Sequence, residues 1–247
     1  MVYMKIDKVI LSSNDSKKYL EFWPLVSSAW KNIGIEPVLI YTGGKKLKFS
    51  KNDNIINFNL KKINSAFVAQ NVRLLAPSLF PNDVVIISDI DNMPLSRYYF
   101  QNNVDKFSND NFVMYRPEAA SKDMVSIMWN AALGSTWSEI FEISNISDME
   151  SKIYSWYPKK YKIEGENWYF DQRMLKKYIM DFEKNFSNRL IKLNDETSGF
   201  LRLNRSNLKK NETFFNPKIK YSDFHMPRPY SKNKDLINSV YDTIFST

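Results

Sequence analysis

Short apolar runs alternate with longer amphipathic segments through the first 95 residues of the chain. Four of the runs have strand length and a high share of β-branched residues: 8–11, 36–41, 55–58 and 84–87. Apolar residues recur every three or four positions over 19–33 and 65–79, which is the spacing of one face of a helix. Strands and helices in this order predict an α/β fold with a mostly parallel, doubly wound sheet flanked by helices.

The pattern is less regular after Pro94. It predicts strands over 112–115 and 129–133, and helices over 137–141, 168–180 and 236–245. No repeat and no linker rich in proline, glycine or serine interrupts the chain. With 247 residues, 43% of them hydrophobic, the chain can fill one large core. We therefore expect a single domain over residues 1–247.

The run over 84–87 is followed by two carboxylates, Asp89 and Asp91, one residue apart. Because the run is apolar at consecutive positions, it is typical of a central strand that is buried on both faces. The carboxyl ends of such strands line the ligand crevice of open α/β sheets. Two carboxylates there suit Mg²⁺ or Mn²⁺ carrying a nucleoside diphosphate. A solvated turn is the alternative, since aspartate and asparagine are common in loops.

The counts of three residue types restrict the chemistry. The chain has no cysteine, which excludes disulfides, thiolate zinc sites and a cysteine nucleophile. Its one histidine, His225, excludes a two-histidine zinc motif. The six glycines form neither a dinucleotide-binding motif nor a P-loop, which disfavours the corresponding oxidoreductases and nucleotide hydrolases.

The net charge of +8 is spread along the chain rather than gathered in one arm or helix, which disfavours a nucleic-acid partner. A basic excess also suits an enzyme that gathers a polyanionic nucleotide sugar, and peripheral contact with an anionic membrane stays an alternative. The N-terminus has no apolar signal region, and no segment approaches the roughly 18–20 apolar residues that span a bilayer. We expect a soluble cytoplasmic protein, whose oligomeric state the sequence does not indicate.

Six short segments occur in a characteristic order: 12–14 (SSN), 70–75 (QNVRLL), 87–95 (ISDIDNMPL), 129–134 (WNAALG), 168–172 (WYFDQ) and 225–229 (HMPRP). In order and spacing they resemble the GT-A class of glycosyltransferases, in particular the small Asp-x-Asp enzymes of bacteria and large DNA viruses. The set spans most of the chain and is far more specific than any one segment. The resemblance implies a GT-A fold, with a nucleotide-binding half over 1–95 and an acceptor half over 96–247 that ends in a metal and diphosphate loop.

The resemblance also implies a metal site. Asp89 and Asp91 would hold Mn²⁺, or Mg²⁺, and His225 would supply a third ligand from the C-terminal loop. A neutral imidazole is a reasonable ligand for Mn²⁺, and the forked guanidinium of Arg228 suits a diphosphate. The alternative for His225 is a loop histidine packed between neighbouring aromatic side chains.

By the same resemblance, eight residues would surround the donor nucleotide sugar: Ser12, Ser13, Asn14, Tyr41, Arg73, Asp89, Asn130 and Arg228. Two of these assignments have plain structural alternatives. The loop over 12–14 also suits the N-cap of a following helix. Arg73 interrupts an apolar helix face, and it could instead project to solvent or pair with a surface carboxylate.

Asp171 is the candidate catalytic residue. In an inverting transfer, which we slightly favour, a carboxylate takes the proton of the acceptor hydroxyl; a retaining enzyme would instead keep a polar or carboxylate group beneath the sugar. The structural alternative is a helix N-cap, because Asp171 precedes a helical segment. Glu164 and Glu166, in the loop before it, are rival bases.

These observations favour a metal-dependent glycosyltransferase that moves a sugar from a nucleoside diphosphate, UDP rather than GDP, to a hydroxyl of a glycan, a lipid-linked glycan or a small acceptor. A sugar-nucleotide nucleotidyltransferase is the nearest alternative, but it would require a glycine-rich phosphate loop after the first strand. A basic nucleic-acid-binding module is the alternative of another class, and the scattered lysines argue against it.

Overall fold

The computed structural model describes residues 3–49, 53–119, 121–209 and 215–246, which include every candidate residue named above. Within these ranges the strands are β1 (Lys8–Ser13), β2 (Glu36–Tyr41), β3 (Ile55–Asn57), β4 (Val84–Ile87), β5 (Asn92–Pro94), β6 (Phe112–Tyr115), β7 (Asn130–Leu133), β8 (Leu190–Leu193), β9 (Leu201–Asn204) and β10 (Tyr221–His225). The α-helices are α1 (Lys17–Leu20), α2 (Trp23–Asn32), α3 (Ser65–Leu75), α4 (Gly134–Phe141), α5 (Ile146–Trp156), α6 (Phe170–Asn185), α7 (Asp195–Ser198) and α8 (Tyr230–Phe245).

Seven of these strands form one sheet in the order β3-β2-β1-β4-β7-β6-β8. Neighbouring strands are parallel except that β7 runs antiparallel to both β4 and β6. A smaller sheet has the order β5-β10-β9, in which β10 is antiparallel to β5 and parallel to β9. The predicted α/β class and mostly parallel sheet are confirmed.

Each central strand is buried on both faces, as consecutive apolar residues predict. In β1, Val9 and Leu11 pack into one hydrophobic layer with α2 and α8, whereas Ile10 packs into the opposite layer with α3, α4, α5 and α6. The four residues of β4 are likewise all buried. This double burial fixes where β4 ends, and therefore where the carboxylates that follow it emerge.

Several predicted elements have different boundaries in the structure. The helix predicted over 19–33 is two helices, α1 and α2, with Pro24 in the first turn of α2. The helix predicted over 65–79 ends as an α-helix at Leu75 and continues as a tighter 3-10 turn over Ala76–Leu79, because Pro77 has no N–H to donate. The terminal helix begins directly after Pro229 rather than at residue 236.

The sequence pattern missed the helices α5 and α7 and the strands β5, β8, β9 and β10. These strands are only three to five residues long, and β8 and β9 are partly exposed. Short strands at the side of a sheet have little apolar periodicity to detect. None of the helices in the described ranges is both long and apolar enough to cross a lipid bilayer.

Gly134 marks a close approach of two backbone segments where β7 turns into α4. A Cβ atom at this position would lie 2.1 Å from the Phe80 carbonyl oxygen and 2.7 Å from that of Pro77. Gly134→Ala should therefore force backbone shifts and lower the free energy of unfolding by about 2 kcal/mol. Urea denaturation would measure the loss. Gly44→Ala is the matched control, since no atom lies within 4 Å of its added Cβ; equal stability of the two variants would contradict the close approach.

Candidate functional site

A cavity of about 340 Å³ opens at the carboxyl ends of β1 and β4. Its walls come from the loop after β1, one face of α3, the loop after β4, the start of α6 and the segment after β10. The volume is within the usual range for small-molecule sites, and the position is the crevice where open α/β sheets bind ligands.

Most of the predicted site residues line this cavity: Ser12, Ser13, Asn14, Arg73, Asp89, Asp91, Asp171, His225 and Arg228. Two do not. The Tyr41 hydroxyl donates to the Asp15 carboxylate beneath the loop, and Tyr41 is almost fully buried. The Asn130 amide is also buried and donates to the carbonyl oxygens of Ser126 and Ile127. Local hydrogen bonds thus hold both side chains away from the cavity.

The loop over 12–14 is fixed against α3 rather than serving as the N-cap of α1. The Ser12 hydroxyl donates to the Ala69 carbonyl oxygen at 2.5 Å, and the Asn14 amide donates to the Ser65 hydroxyl at 3.1 Å. The N-cap of α1 is Ser16, which makes no side-chain capping bond. The loop therefore presents a rigid polar edge to the cavity.

Arg73 bridges two carboxylates of the cavity. Its Nη1 contacts Asp89, and its Nη2 lies 2.7 Å from Asp171 Oδ2. Burial alone would lower the pKa of Arg73, but the two carboxylates outweigh it and raise that pKa above its ordinary value. The solvent-directed and surface-paired alternatives for Arg73 are therefore wrong: the charge among apolar residues of α3 is directed into the cavity.

Asp171 lies in the first turn of α6 and is 1% exposed. It is not the N-cap, which is Tyr169; instead its Oδ1 accepts the Gln172 N–H at 2.9 Å. Burial raises the pKa of the Asp171 carboxyl above its ordinary value even though Arg73 favours the charged form. The rival bases Glu164 and Glu166 are both exposed and do not line the cavity.

Asp91 is almost fully buried and is surrounded by basic groups. Its Oδ2 lies 2.8 Å from Arg205 Nη1, 3.5 Å from Arg228 Nε and 3.6 Å from His225 Nε2. Burial opposes ionisation, but His225, Arg228 and Arg205 together hold the pKa of Asp91 well below its ordinary value. Asp91 is therefore an anion at neutral pH.

The smaller sheet brings these groups together from distant parts of the chain. Asp91 directly precedes β5, and His225 ends β10 opposite Asn92 in the antiparallel register. The Met226 N–H then donates to the Asp91 carbonyl oxygen at 3.0 Å. The pairing of β5 with β10 thus sets the distance between the Asp91 carboxylate and the His225 imidazole.

A buried ion cluster anchors the smaller sheet to the larger one. Arg116, at the end of β6, lies 3.0 Å from Asp223 Oδ1 in β10 and 4.9 Å from the ring centre of Trp129. The other oxygen of Asp223 lies 3.0 Å from Arg202 Nε, and Arg202 Nη2 donates to the Asn92 side-chain oxygen at 2.6 Å. The three strands of the smaller sheet are tied together by these contacts.

The residues present fit a divalent ion in part. A carboxylate and an imidazole that bind one ion through bonds of about 2.1 Å lie no more than about 4.2 Å apart, so the 3.6 Å between Asp91 and His225 suits shared ligation. The Asp89 carboxylate contacts Arg73 instead. Across the described ranges no three histidine, aspartate or glutamate side chains are gathered as a ready metal site.

Sequence reasoning assigned no role to several residues of the cavity wall, namely Tyr19, Gln70, Tyr169, Gln172 and Arg205, although three of them lie in the segments over 70–75 and 168–172. Arg205 follows β9, whose alternation of apolar and polar residues, LRLN, is the signal that could have indicated a strand. The strand alone would not have placed Arg205 against Asp91, because that contact depends on the pairing of β9 with β10.

Several solved structures with a similar fold are glycosyltransferases. The chain aligns with a galactosyltransferase, LgtC, in complex with donor and acceptor sugar analogues over 96% of each chain, with a TM-score of 0.50 and 12% identity. For an active-site mutant of LgtC the TM-score is 0.51 at 13% identity, covering 94% of this chain and 95% of that one. For the apo form of the glycosyltransferase GlyE of Streptococcus pneumoniae TIGR4 it is 0.54 at 11% identity.

The alignment with GlyE covers 98% of this chain but only 62% of the GlyE chain. No protein-family model matches the chain, and no curated protein is significantly similar to it in sequence. At identities this low the likeness establishes the GT-A type of fold that the sequence resemblance implied, and the activity has to be argued from the site.

Replacing Arg73 tests whether it holds the two carboxylates together. Arg73→Met should leave a buried Asp171 without its cationic partner and lower the free energy of unfolding by about 3 kcal/mol. Adding Asp171→Asn should recover part of the loss, since the uncompensated charge is then removed. Chemical denaturation of the single and double variants would measure both effects. Arg173→Met, at an exposed position of α6, the helix that contains Asp171, should change stability by no more than about 0.5 kcal/mol. A loss as small for Arg73→Met would rule out the bridge.

Proposed function

We propose that the protein is a glycosyltransferase that moves a sugar from a nucleoside diphosphate to an acceptor hydroxyl. The observation that carries the proposal is the cavity at the carboxyl end of β4. It is lined by the ionised Asp91 beside His225, and by the two carboxylates that pair with Arg73. One cavity, large enough for a small ligand, is thus lined by oxygen-bearing side chains, cationic side chains and a buried carboxylate. The GT-A fold supports the same reading.

The donor nucleotide would lie between the loop over 12–14 and the loop after β4. The first loop offers hydroxyl and amide groups that are suited to a base and a ribose, and Asp89 lines the same cavity. Arg228 lines the segment after β10, where its guanidinium also contacts the Tyr19 hydroxyl and can face a diphosphate. UDP is the nucleotide that we propose, by resemblance to the small Asp-x-Asp enzymes.

Asp91 and His225 would hold Mn²⁺ or Mg²⁺, and Asp89 would join them by turning from Arg73. Bound there, such an ion would neutralise charge that develops on the leaving diphosphate. The contribution of the chain itself is to keep Asp91 ionised and the imidazole 3.6 Å away from it.

Asp171 would accept the proton of the acceptor hydroxyl as that oxygen attacks the anomeric carbon and the bond from that carbon to the diphosphate breaks. Arg73 holds the carboxylate in place, and burial strengthens it as a base by raising its pKa. The acceptor, a glycan, a lipid-linked glycan or a small hydroxyl compound, would enter past Ile163 and Tyr169, two half-exposed apolar side chains that line the same cavity.

The first test is whether nucleotide binding needs a divalent ion. Calorimetry with UDP or GDP should show binding in the presence of Mn²⁺. The affinity should fall roughly tenfold or more in EDTA, which removes the ion, and after Asp91→Ala, which removes one ligand of the ion. His225→Ala should weaken the complex while leaving the fold intact. Asp105→Ala removes an exposed carboxylate outside the cavity and should bind as the unaltered protein does. Equal affinity with Mn²⁺, in EDTA and in Asp91→Ala would end the metal assignment.

A second test separates donor binding from turnover at Asp171. Asp171→Asn should keep donor affinity within about threefold and lose turnover by roughly 10²-fold or more, the usual scale for a positioned base. Asp181→Asn, an exposed position of the same helix, is the matched control. NMR of the product would give the stereochemistry at the anomeric carbon. Retention would make the base role wrong, and normal turnover by Asp171→Asn would remove the residue from the site.

A further inference from the structure

Arg205 makes the shortest contact with Asp91 among the three basic groups around it. Its Nη1 lies 2.8 Å from Asp91 Oδ2 and 3.1 Å from the Met226 carbonyl oxygen. The side chain is about a quarter exposed and forms part of the cavity wall. Arg73, by contrast, is buried between two carboxylates.

The charges of the cavity wall leave one guanidinium without a carboxylate of its own. Among the described residues that line the cavity, three arginines face three aspartates. Arg73 engages both Asp89 and Asp171, so Arg205 and Arg228 share the single carboxylate of Asp91. The region around Asp91 therefore has a local excess of positive charge, which suits an anionic ligand.

Arg205 occupies the same oxygen that a divalent ion would use. The Oδ2 atom of Asp91 that bonds Arg205 is also the one that lies 3.6 Å from His225. A guanidinium and a divalent ion on one carboxylate oxygen would repel each other strongly at this separation in a buried site. Binding of a divalent ion at this oxygen would therefore weaken the contact between Arg205 and Asp91.

We propose that Arg205 exchanges partners: it holds Asp91 while the cavity is empty, and it moves to the diphosphate of the donor when a divalent ion binds Asp91. The inference rests on the proposed function for its ligand. The planar fork of an arginine can bond two phosphate oxygens at once, so the charge that Arg205 loses at Asp91 is regained at the diphosphate. Arg205 would then favour the ion and the nucleotide as a pair over the ion alone.

The plain alternative is that Arg205 braces the end of β10 through Asp91 and the Met226 carbonyl oxygen. The two accounts predict opposite signs for one measurement. A brace holds the ligands of the ion in place, so its removal weakens the binding of the ion alone. A competing cation blocks the position of the ion, so removal of the competing cation strengthens the binding of the ion alone.

Titration of Mn²⁺ alone, followed by the EPR signal of the free ion, tests this sign. Arg205→Ala should bind Mn²⁺ roughly fivefold tighter than the unaltered protein, because a competing ion pair is gone. With saturating Mn²⁺, calorimetry should show the same variant binding UDP roughly tenfold more weakly, since a charged hydrogen-bond donor is lost. Arg205→Lys, which keeps the charge without the fork, should lie between the two proteins in both measurements.

Arg97→Ala is the control for net charge, because Arg97 is exposed and does not line the cavity; it should match the unaltered protein in both titrations. Unchanged or weaker binding of Mn²⁺ by Arg205→Ala would overturn the exchange, as would unchanged binding of UDP. If Arg205→Ala fails to fold by circular dichroism, the sign of the change in Arg205→Lys decides. If the unaltered protein binds neither UDP nor GDP with Mn²⁺, the proposed function fails instead, and the Mn²⁺ titration alone still decides whether Arg205 competes at Asp91.

Discussion

The buried ion pair between Arg116 and Asp223 joins the larger sheet to the smaller one, and the geometry of the candidate site depends on that junction. Asp223 belongs to the same strand as His225, so a displacement of that strand would move the imidazole relative to Asp91. Burying charge is costly unless it is paired, and here the two oxygens of Asp223 each lie 3.0 Å from a guanidinium, although only the one beside Arg116 accepts its hydrogen bond. The cluster therefore specifies one arrangement of the two sheets more than it adds stability.

The cavity also contains ion pairs between arginine and aspartate, and they differ in how deeply the arginine is buried. Arg73 and Arg205 each neutralise carboxylates of the cavity, but only Arg73 is enclosed. An enclosed arginine can position a neighbouring carboxylate such as Asp171, whereas a partly exposed one can change its partner when a ligand arrives. Burial, rather than residue type, would separate the two proposed roles.

The strand that carries Asp89 and Asp91 was predictable because four consecutive buried apolar residues produce a strong local signal. The polar loop over 12–14 and the start of α6 were also found in the sequence, since polar residues follow or precede elements with clear periodicity. Arg205 and the short strands β9 and β10 were not, because strands of four or five residues lack such periodicity. Tyr41 and Asn130 lie outside the cavity wall for another reason: a linear pattern does not reveal the local hydrogen-bond partners that hold them.

The amino-acid sequence by itself determined the α/β class, the order of the first strands and helices, and the identity of the carboxylates at the end of β4. Each of these follows from local periodicity and burial, which neighbouring residues encode directly. The distances of His225 and Arg205 from Asp91 depended on tertiary structure, because residues more than a hundred positions apart meet only through the pairing of β5, β10 and β9. Such pairing depends on the register of several strands and on a buried ion cluster, and neither leaves a local pattern in the chain.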